Sequence, residues 1–179
     1  MFIEYEATFA GVNKEQLRQK LREAGAVQMY PEFMQKRVVF NLPKGNEIKG
    51  GWIRVRQEFD KITASLKIVD GDKIENQKEI CIKVDSFEEA VLFFETIGCQ
   101  KKAYQESYRE LWKIDDVEIT IDEWPFLDPF VEVEGKSEIE VIRVSELLGF
   151  DYKKAYFGAV DGLYAIKYGI STERINNHT

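Results

Sequence analysis

Charged and apolar residues alternate at a period of two through most of this chain, and the charged positions come in short runs of one sign. Alternate residues of a β-strand face opposite sides of the sheet, so such a run sorts itself into two faces. The stretches FIEYEATFA, MQKRVVF, GWIRVRQEF, ITASLKIV, NQKEICIKV, SYRELWKI, VEITID and PFVEVEG all read this way. Ile3, Tyr5, Ala7 and Phe9 oppose Glu4, Glu6 and Thr8. Ile53 and Val55 oppose Arg54 and Arg56; Ile62, Ala64 and Leu66 oppose Thr63, Ser65 and Lys67. Ile80 and Ile82 oppose Glu79 and Cys81, and Val131 and Val133 oppose Glu132 and Glu134. About eight strands is the number that closes into a small barrel. An open antiparallel sheet with one solvated face would show the same alternation. If instead the sheet curls with its apolar face outward, the charged face becomes an enclosed lumen, which is costly unless its charges meet ligands and each other.

Three helices are marked by their ends. Asn13 precedes KEQLRQKLREAG, Ser86 precedes FEEAVLFFETIG and Ser137 precedes EIEVIRVSELLG. Each opens on a capping residue with Gln or Glu three positions on, and each closes on glycine: Gly25, Gly98 and Gly149. Their apolar stripes need a surface to cover, and the apolar face of a curled sheet supplies one. The aromatic stretch after Gly149 reads as short helices or turns, and the final ERINNHT as a frayed end. The pattern of sheet plus three helices predicts an α+β fold.

Composition excludes several functions. The 179 residues carry a net charge of −7, which argues against general nucleic-acid binding. No stretch is apolar for the ~20 residues of a membrane helix, and the N-terminus has no basic signal-peptide region. Two cysteines are too few for a disulfide framework or a structural zinc site, so a cytoplasmic protein is expected. His178 is the sole histidine, so imidazole chemistry is not expected. Carboxylates, lysines, arginines and hydroxyls are left to act. Trp52, Trp112 and Trp124 read as packing or mouth residues.

These residues resemble a known family. IEYEATF resembles the ExExK strand that opens CYTH domains, the family of class IV adenylyl cyclases and thiamine or inorganic triphosphatases. WIRVR, SLK, QKEI, SYREL and ITIDEWPFLDPFVEVEG resemble its later strands, in the family's order, from about Ile3 to Glu134. The resemblance implies a single domain over 1–179: a closed eight-stranded antiparallel β-barrel, about 2–135, with helices packed outside and a C-terminal helical part at about 137–170. It implies that Glu4, Glu6, Glu132 and Glu134, with Asp122, hold Mg2+ or Mn2+, and that Glu79 holds a second metal or orders the arginines. It implies that Arg37, Arg54, Arg56, Lys67 and Arg109 grip a triphosphate, with Glu4, Glu6, Lys67 and Arg109 central to catalysis. Oxygen ligands suit these cations, and guanidinium groups suit phosphate.

Two places depart from the pattern. Leu127-Asp128-Pro129 stands where family members often show Leu-Gly, and Asp128 reads as a turn residue. The more serious departure is Thr8, which stands where the family's opening strand ends in lysine, and a hydroxyl supplies no charge. Lys83, Lys101, Lys102 and Lys154 are candidates to compensate. Three functions follow: a metal-dependent triphosphatase, a class IV adenylyl cyclase making cyclic AMP and pyrophosphate, or a triphosphate-binding module without turnover. The expected partner is a small-molecule triphosphate, with no nucleic acid and no membrane, and the protein a monomer or homodimer. Loss of Arg54 or Arg56 is expected to weaken binding with little effect on folding.

Overall fold

A computed structural model of the protein describes residues 1–172 and Arg174. The terminal stretch read as frayed lies outside the described residues except at its Arg174, and His178 lies outside them too. A nearly closed antiparallel sheet of nine strands forms the body, one strand more than expected. The extra strand arises because the first run breaks at Glu4, giving β1 (Phe2–Ile3) and β2 (Tyr5–Ala10). The remaining strands are β3 (Val27–Asn41), β4 (Gly51–Glu58), β5 (Lys61–Val69), β6 (Gln77–Lys83), β7 (Gln100–Ile114), β8 (Val117–Glu123) and β9 (Phe130–Gly135). They lie in the order β1-β6-β5-β4-β3-β7-β8-β9-β2. The two ends of the sheet are therefore halves of one N-terminal segment. Ile3 pairs with Lys78 on one side, Tyr5 pairs with Gly135 on the other, and the peptide through Glu4 joins them. Gln77 reinforces the seam: its carbonyl accepts from Glu4 N–H at 3.0 Å, and its amide donates to the Glu6 carbonyl at 2.7 Å.

The helices start where their caps place them. α1 (Lys14–Glu23), α2 (Phe87–Thr96) and α3 (Glu138–Leu147) follow Asn13, Ser86 and Ser137, whose side chains accept from the N–H groups of Gln16, Glu89 and Glu140. The aromatic C-terminal stretch forms a 3-10 turn at Tyr152–Lys154 and α4 (Val160–Tyr168).

The apolar strand face does point outward, under the helices. Leu17 and Leu21 of α1 and Val141 and Val144 of α3 share one core with Ala7, Ile119, Ile121, Val131 and Val133. Phe87 of α2 shares a second core with Val38, Phe40, Ile53, Val55 and Ala64. The cover is incomplete: on β6, Ile80 and Ile82 remain 45% and 55% exposed.

A polar knot fastens α1 to the wall. Glu110, 1% exposed, accepts from Arg18 at 2.7 and 2.9 Å, from Gln28 at 2.8 Å and from the Trp112 indole N–H at 2.6 Å. Glu110→Leu would orphan the buried indole donor, and urea unfolding should register a loss of about 1–3 kcal/mol. An unaltered unfolding midpoint would show that α1 is held by its leucines alone.

Candidate functional site

The inward residues of these strands enclose a cavity of about 640 Å³. Strand register divides its wall by charge. On β3, β4 and β5 stand Arg37, Arg54, Arg56 and Lys67; on β2, β8 and β9 stand Glu4, Glu6, Asp122, Glu132 and Glu134, with Glu4 at the junction with β1. Thus parity in the sequence gathers cations on one group of strands and carboxylates on another, with Glu58 of β4, which pairs with Arg56, and Arg109 of β7, which pairs with Glu132, as exceptions.

The basic wall is under strain. Arg37 and Arg56 are direct cross-strand partners, a juxtaposition of like charges that destabilises a sheet. Burial first, then repulsion from Arg54, Arg56 and Arg109, hold Arg37 well below the usual guanidinium range. Its near contacts are the Ser107 hydroxyl at 3.4 Å and the Trp124 ring, centroid 4.5 Å away. Arg54 is better placed, donating to Glu79 at 3.1 Å; against the cost of burial, Glu79 and Glu4 raise it. Arg56 reaches Glu58 at 2.9 Å. The Nε groups of Arg37, Arg54 and Arg56 are all buried without a hydrogen-bond acceptor. Buried donors in native proteins are ordinarily satisfied, so three orphaned guanidinium N–H groups in one cavity fit an absent anion.

The acidic wall has two parts. Glu4, Glu6 and Glu134 offer oxygen atoms within 4.8 Å of one another. Lys67 lies among them, 2.7 Å from Glu4 and 3.4 Å from Glu6, and is raised by Glu6 and Glu4 against the opposing effect of burial. Burial and then the charge of Glu132 push Glu6 up to about 8. Enclosure and the charge of Glu6 push Glu134 up to about 7, although its surface opens to the lumen. Three carboxylates so close are penalised when ionised together, and a divalent cation with oxygen ligands relieves that penalty; the trio fits such an ion.

Glu132 and Asp122 instead engage Arg109. Its guanidinium donates to Asp122 at 2.8 and 2.9 Å and to Glu132 at 2.6 Å. Burial opposes this charge, yet Asp122 and Glu132 raise Arg109 well above its ordinary range. Glu79 is the partner of Arg54 and the cross-strand neighbour of Lys67.

Thr8 is buried and takes no part in either cluster. Its N–H and C=O bond the Tyr156 backbone at 3.0 and 2.9 Å, tying the C-terminal segment to β2. Lys67 supplies the cation beside Glu4 and Glu6. Of the four compensating lysines considered, Lys102 lines the cavity and Lys83, Lys101 and Lys154 do not. Trp112 packs outside the barrel, Trp124 lies against Arg37, and Trp52 lines the cavity.

Sequence reading missed Glu58, Gln35 and Ser107. Glu58, 4% exposed, pairs with Arg56 and, at 3.4 Å, with Arg109; despite burial these cations hold it down to about 2. Extending the Arg54, Arg56 parity by two residues finds it. Gln35, fully buried, donates to Ser107 at 3.0 Å and Asp122 at 3.3 Å, and the parity of Arg37 leads to it in the same way.

Comparison with known proteins agrees with this architecture. The PH1012 protein of Pyrococcus horikoshii superposes with a TM-score of 0.69 at 22% identity, over 85% of this chain and 93% of its own. A candidate adenylate cyclase of Vibrio parahaemolyticus superposes with a TM-score of 0.78 at 10% identity, over 92% and 98%. A candidate adenylyl cyclase of Hippeastrum, described as having a dominant triphosphatase activity, gives 0.52 at 10% identity, over 95% and 99%. At such identities the likeness is one of fold. No curated protein sequence matches the chain. The CYTH domain profile matches residues 3–155, which include both walls of the cavity, and the chain belongs to the CYTH family.

Proposed function

We propose that this protein is a divalent-metal-dependent enzyme that hydrolyses a small-molecule triphosphate inside the charged lumen, with the cytoplasm as its compartment. The observation that carries the reading is the set of three buried, acceptor-less guanidinium N–H groups on one wall of an enclosed cavity. Phosphate oxygens are their natural acceptors.

Arg37, Arg54 and Arg56 bind and orient the triphosphate. Glu4, Glu6 and Glu134 hold Mg2+ or Mn2+. The ion, when bound, neutralises phosphate charge and lets the three carboxylates ionise together. Lys67, 2.7 Å from Glu4 and 3.4 Å from Glu6, holds a cation where the two walls meet. Arg109, oriented by Asp122 and Glu132, adds a fourth guanidinium for the phosphate chain; positioning and neutralising that chain is the main task of a protein in such reactions. Hydrolysis is supported by the triphosphatase activity described for the Hippeastrum protein, and by the modest demands that hydrolysis places on the site.

The test is product release by purified protein given Mg2+ or Mn2+ with tripolyphosphate, thiamine triphosphate or ATP. Orthophosphate release that stops with EDTA is the expected result. Cyclic AMP with matching pyrophosphate would make the protein a cyclase. Triphosphate-dependent thermal stabilisation without any product would make it a binder, with Thr8 the reason.

A further inference from the structure

Three aromatic rings stand together on the wall of the same cavity. Tyr30 and Phe33 lie on β3, and Phe59 lies in the turn between β4 and β5. The Tyr30 and Phe59 ring centroids are 4.5 Å apart, those of Phe33 and Phe59 5.7 Å, and those of Tyr30 and Phe33 6.1 Å. All three line the lumen with Arg54, Arg56 and Arg109. Register sets their distance from the charged walls. Phe33 is the cross-strand partner of Arg109, and Arg37 lies further along the same inward row. Phe33 and Arg37 are thus separated by about 13 Å of strand, at ~3.3 Å per residue.

The turn backbone gives Phe59 no reason to be phenylalanine. Glu58 pairs with Lys61, so Phe59 and Asp60 form a two-residue turn. Phe59 has φ +42°, in the left-handed region where such turns favour asparagine or glycine. Its side chain is 54% exposed, so burial does not repay the strain. The turn is also fastened to the cluster, since the Tyr30 hydroxyl donates to Asp60 at 3.3 Å. A strained, half-open ring, held against two others beside phosphate-binding arginines, has the form of a platform for a flat ligand.

We propose that Tyr30, Phe33 and Phe59 stack a planar heteroaromatic group carried on the triphosphate, so that the site takes an organic triphosphate, such as a nucleoside triphosphate, in preference to inorganic tripolyphosphate. The proposal rests on the triphosphate reading of the lumen and adds the substrate class. A ring stacked on aromatic side chains is held without base-specific hydrogen bonds, so purine triphosphates should bind similarly to one another.

The test measures dissociation constants of the full chain for ATP and tripolyphosphate, with Mg2+, for the wild type, Phe59→Asn and Phe33→Leu. Phe59→Asn suits the turn and removes the ring; Phe33→Leu keeps apolar bulk and removes the π face. The expected result is tighter wild-type binding of ATP, and in each variant a roughly tenfold or larger fall in the ratio of ATP to tripolyphosphate affinity. Phe59→Asn should also melt no lower than the wild type, because it relieves the turn. Equal changes for both ligands, or none in either variant, would show the cluster to be a hydrophobic plug and overturn the proposal. A wild type that prefers tripolyphosphate would overturn it while leaving the triphosphate reading intact. A wild type that binds neither ligand would overturn both.

Discussion

Arg37→Met should make the protein more stable and less able to bind triphosphate. Arg37 is 6% exposed, faces Arg56 across the strand pair, and has no carboxylate within ion-pair distance among the described residues. Methionine keeps the contact with Trp124 and removes a buried charge that is repelled by three others. Unfolding free energy should rise by about 1–2 kcal/mol, roughly 2–8 °C in melting temperature for a chain of this size. Triphosphate affinity should fall by about tenfold to a hundredfold, the scale of a hydrogen bond to a charged group. Opposite movement of stability and affinity is the signature of a residue kept for its ligand. If the variant unfolds, or binds as tightly as before, Arg37 belongs to the scaffold. The expectation of small folding effects, first attached to Arg54 and Arg56, applies best to Arg37. Arg54→Ala and Arg56→Ala would also strand Glu79 and Glu58.

Without divalent metal, stability should fall as pH rises from 5 to 8.5, and Mg2+ or Mn2+ should restore it at the upper end. Glu6 carries the effect. Its carboxyl, raised to about 8 from 4.5, is protonated in the folded protein across a range where the unfolded chain has lost that proton. Its contribution is complete below pH 4.5 and lost as pH climbs through 8. Each unit of separation is worth about 1.36 kcal/mol, so a loss on the order of 4 kcal/mol is expected over this range. Glu134, open to the lumen, adds less. Glu58 acts elsewhere: held down to about 2, its stabilisation is present above pH 4.5 and vanishes only in strong acid. A cation needs the carboxylates ionised, so its stabilising effect should grow with pH. Chemical denaturation in EDTA and in excess Mg2+, at pH 5 and 8.5, decides the matter. Metal-free stability that rises with pH, or equal metal stabilisation at both values, would remove Glu6 from the proposed metal ligands.

The lumen was legible because parity is a rigid consequence of strand geometry. Once Arg54 faces in, Arg56 must too, and the same rule carries Glu4 to Glu6 and Glu132 to Glu134. The helices were legible because a cap is local chemistry. What the sequence concealed depended on distant partners. Alternation gives the inward face of Glu132 but says nothing of Arg109, whose guanidinium donates to it at 2.6 Å. The full length of β3 was hidden by Pro31 and by register shifts between Gln28 and Phe33 that interrupt the alternation. The aromatic cluster was hidden for the same reason, since Tyr30 and Phe33 lie across one of those shifts and Phe59 joins them from a turn.

The divided N-terminal segment ties the order of assembly to the birth of the site. Tyr5 leaves the ribosome long before Gly135, its partner, so the seam waits for nearly the whole barrel to be made. Pairings this remote in sequence are slow to form and leave strand edges open meanwhile. Glu4 and Glu6 ride on that seam. Incomplete chains therefore carry the arginines on adjacent hairpin strands without the opposing carboxylates in place, and the carboxylate cluster and the closed barrel come into being in a single event.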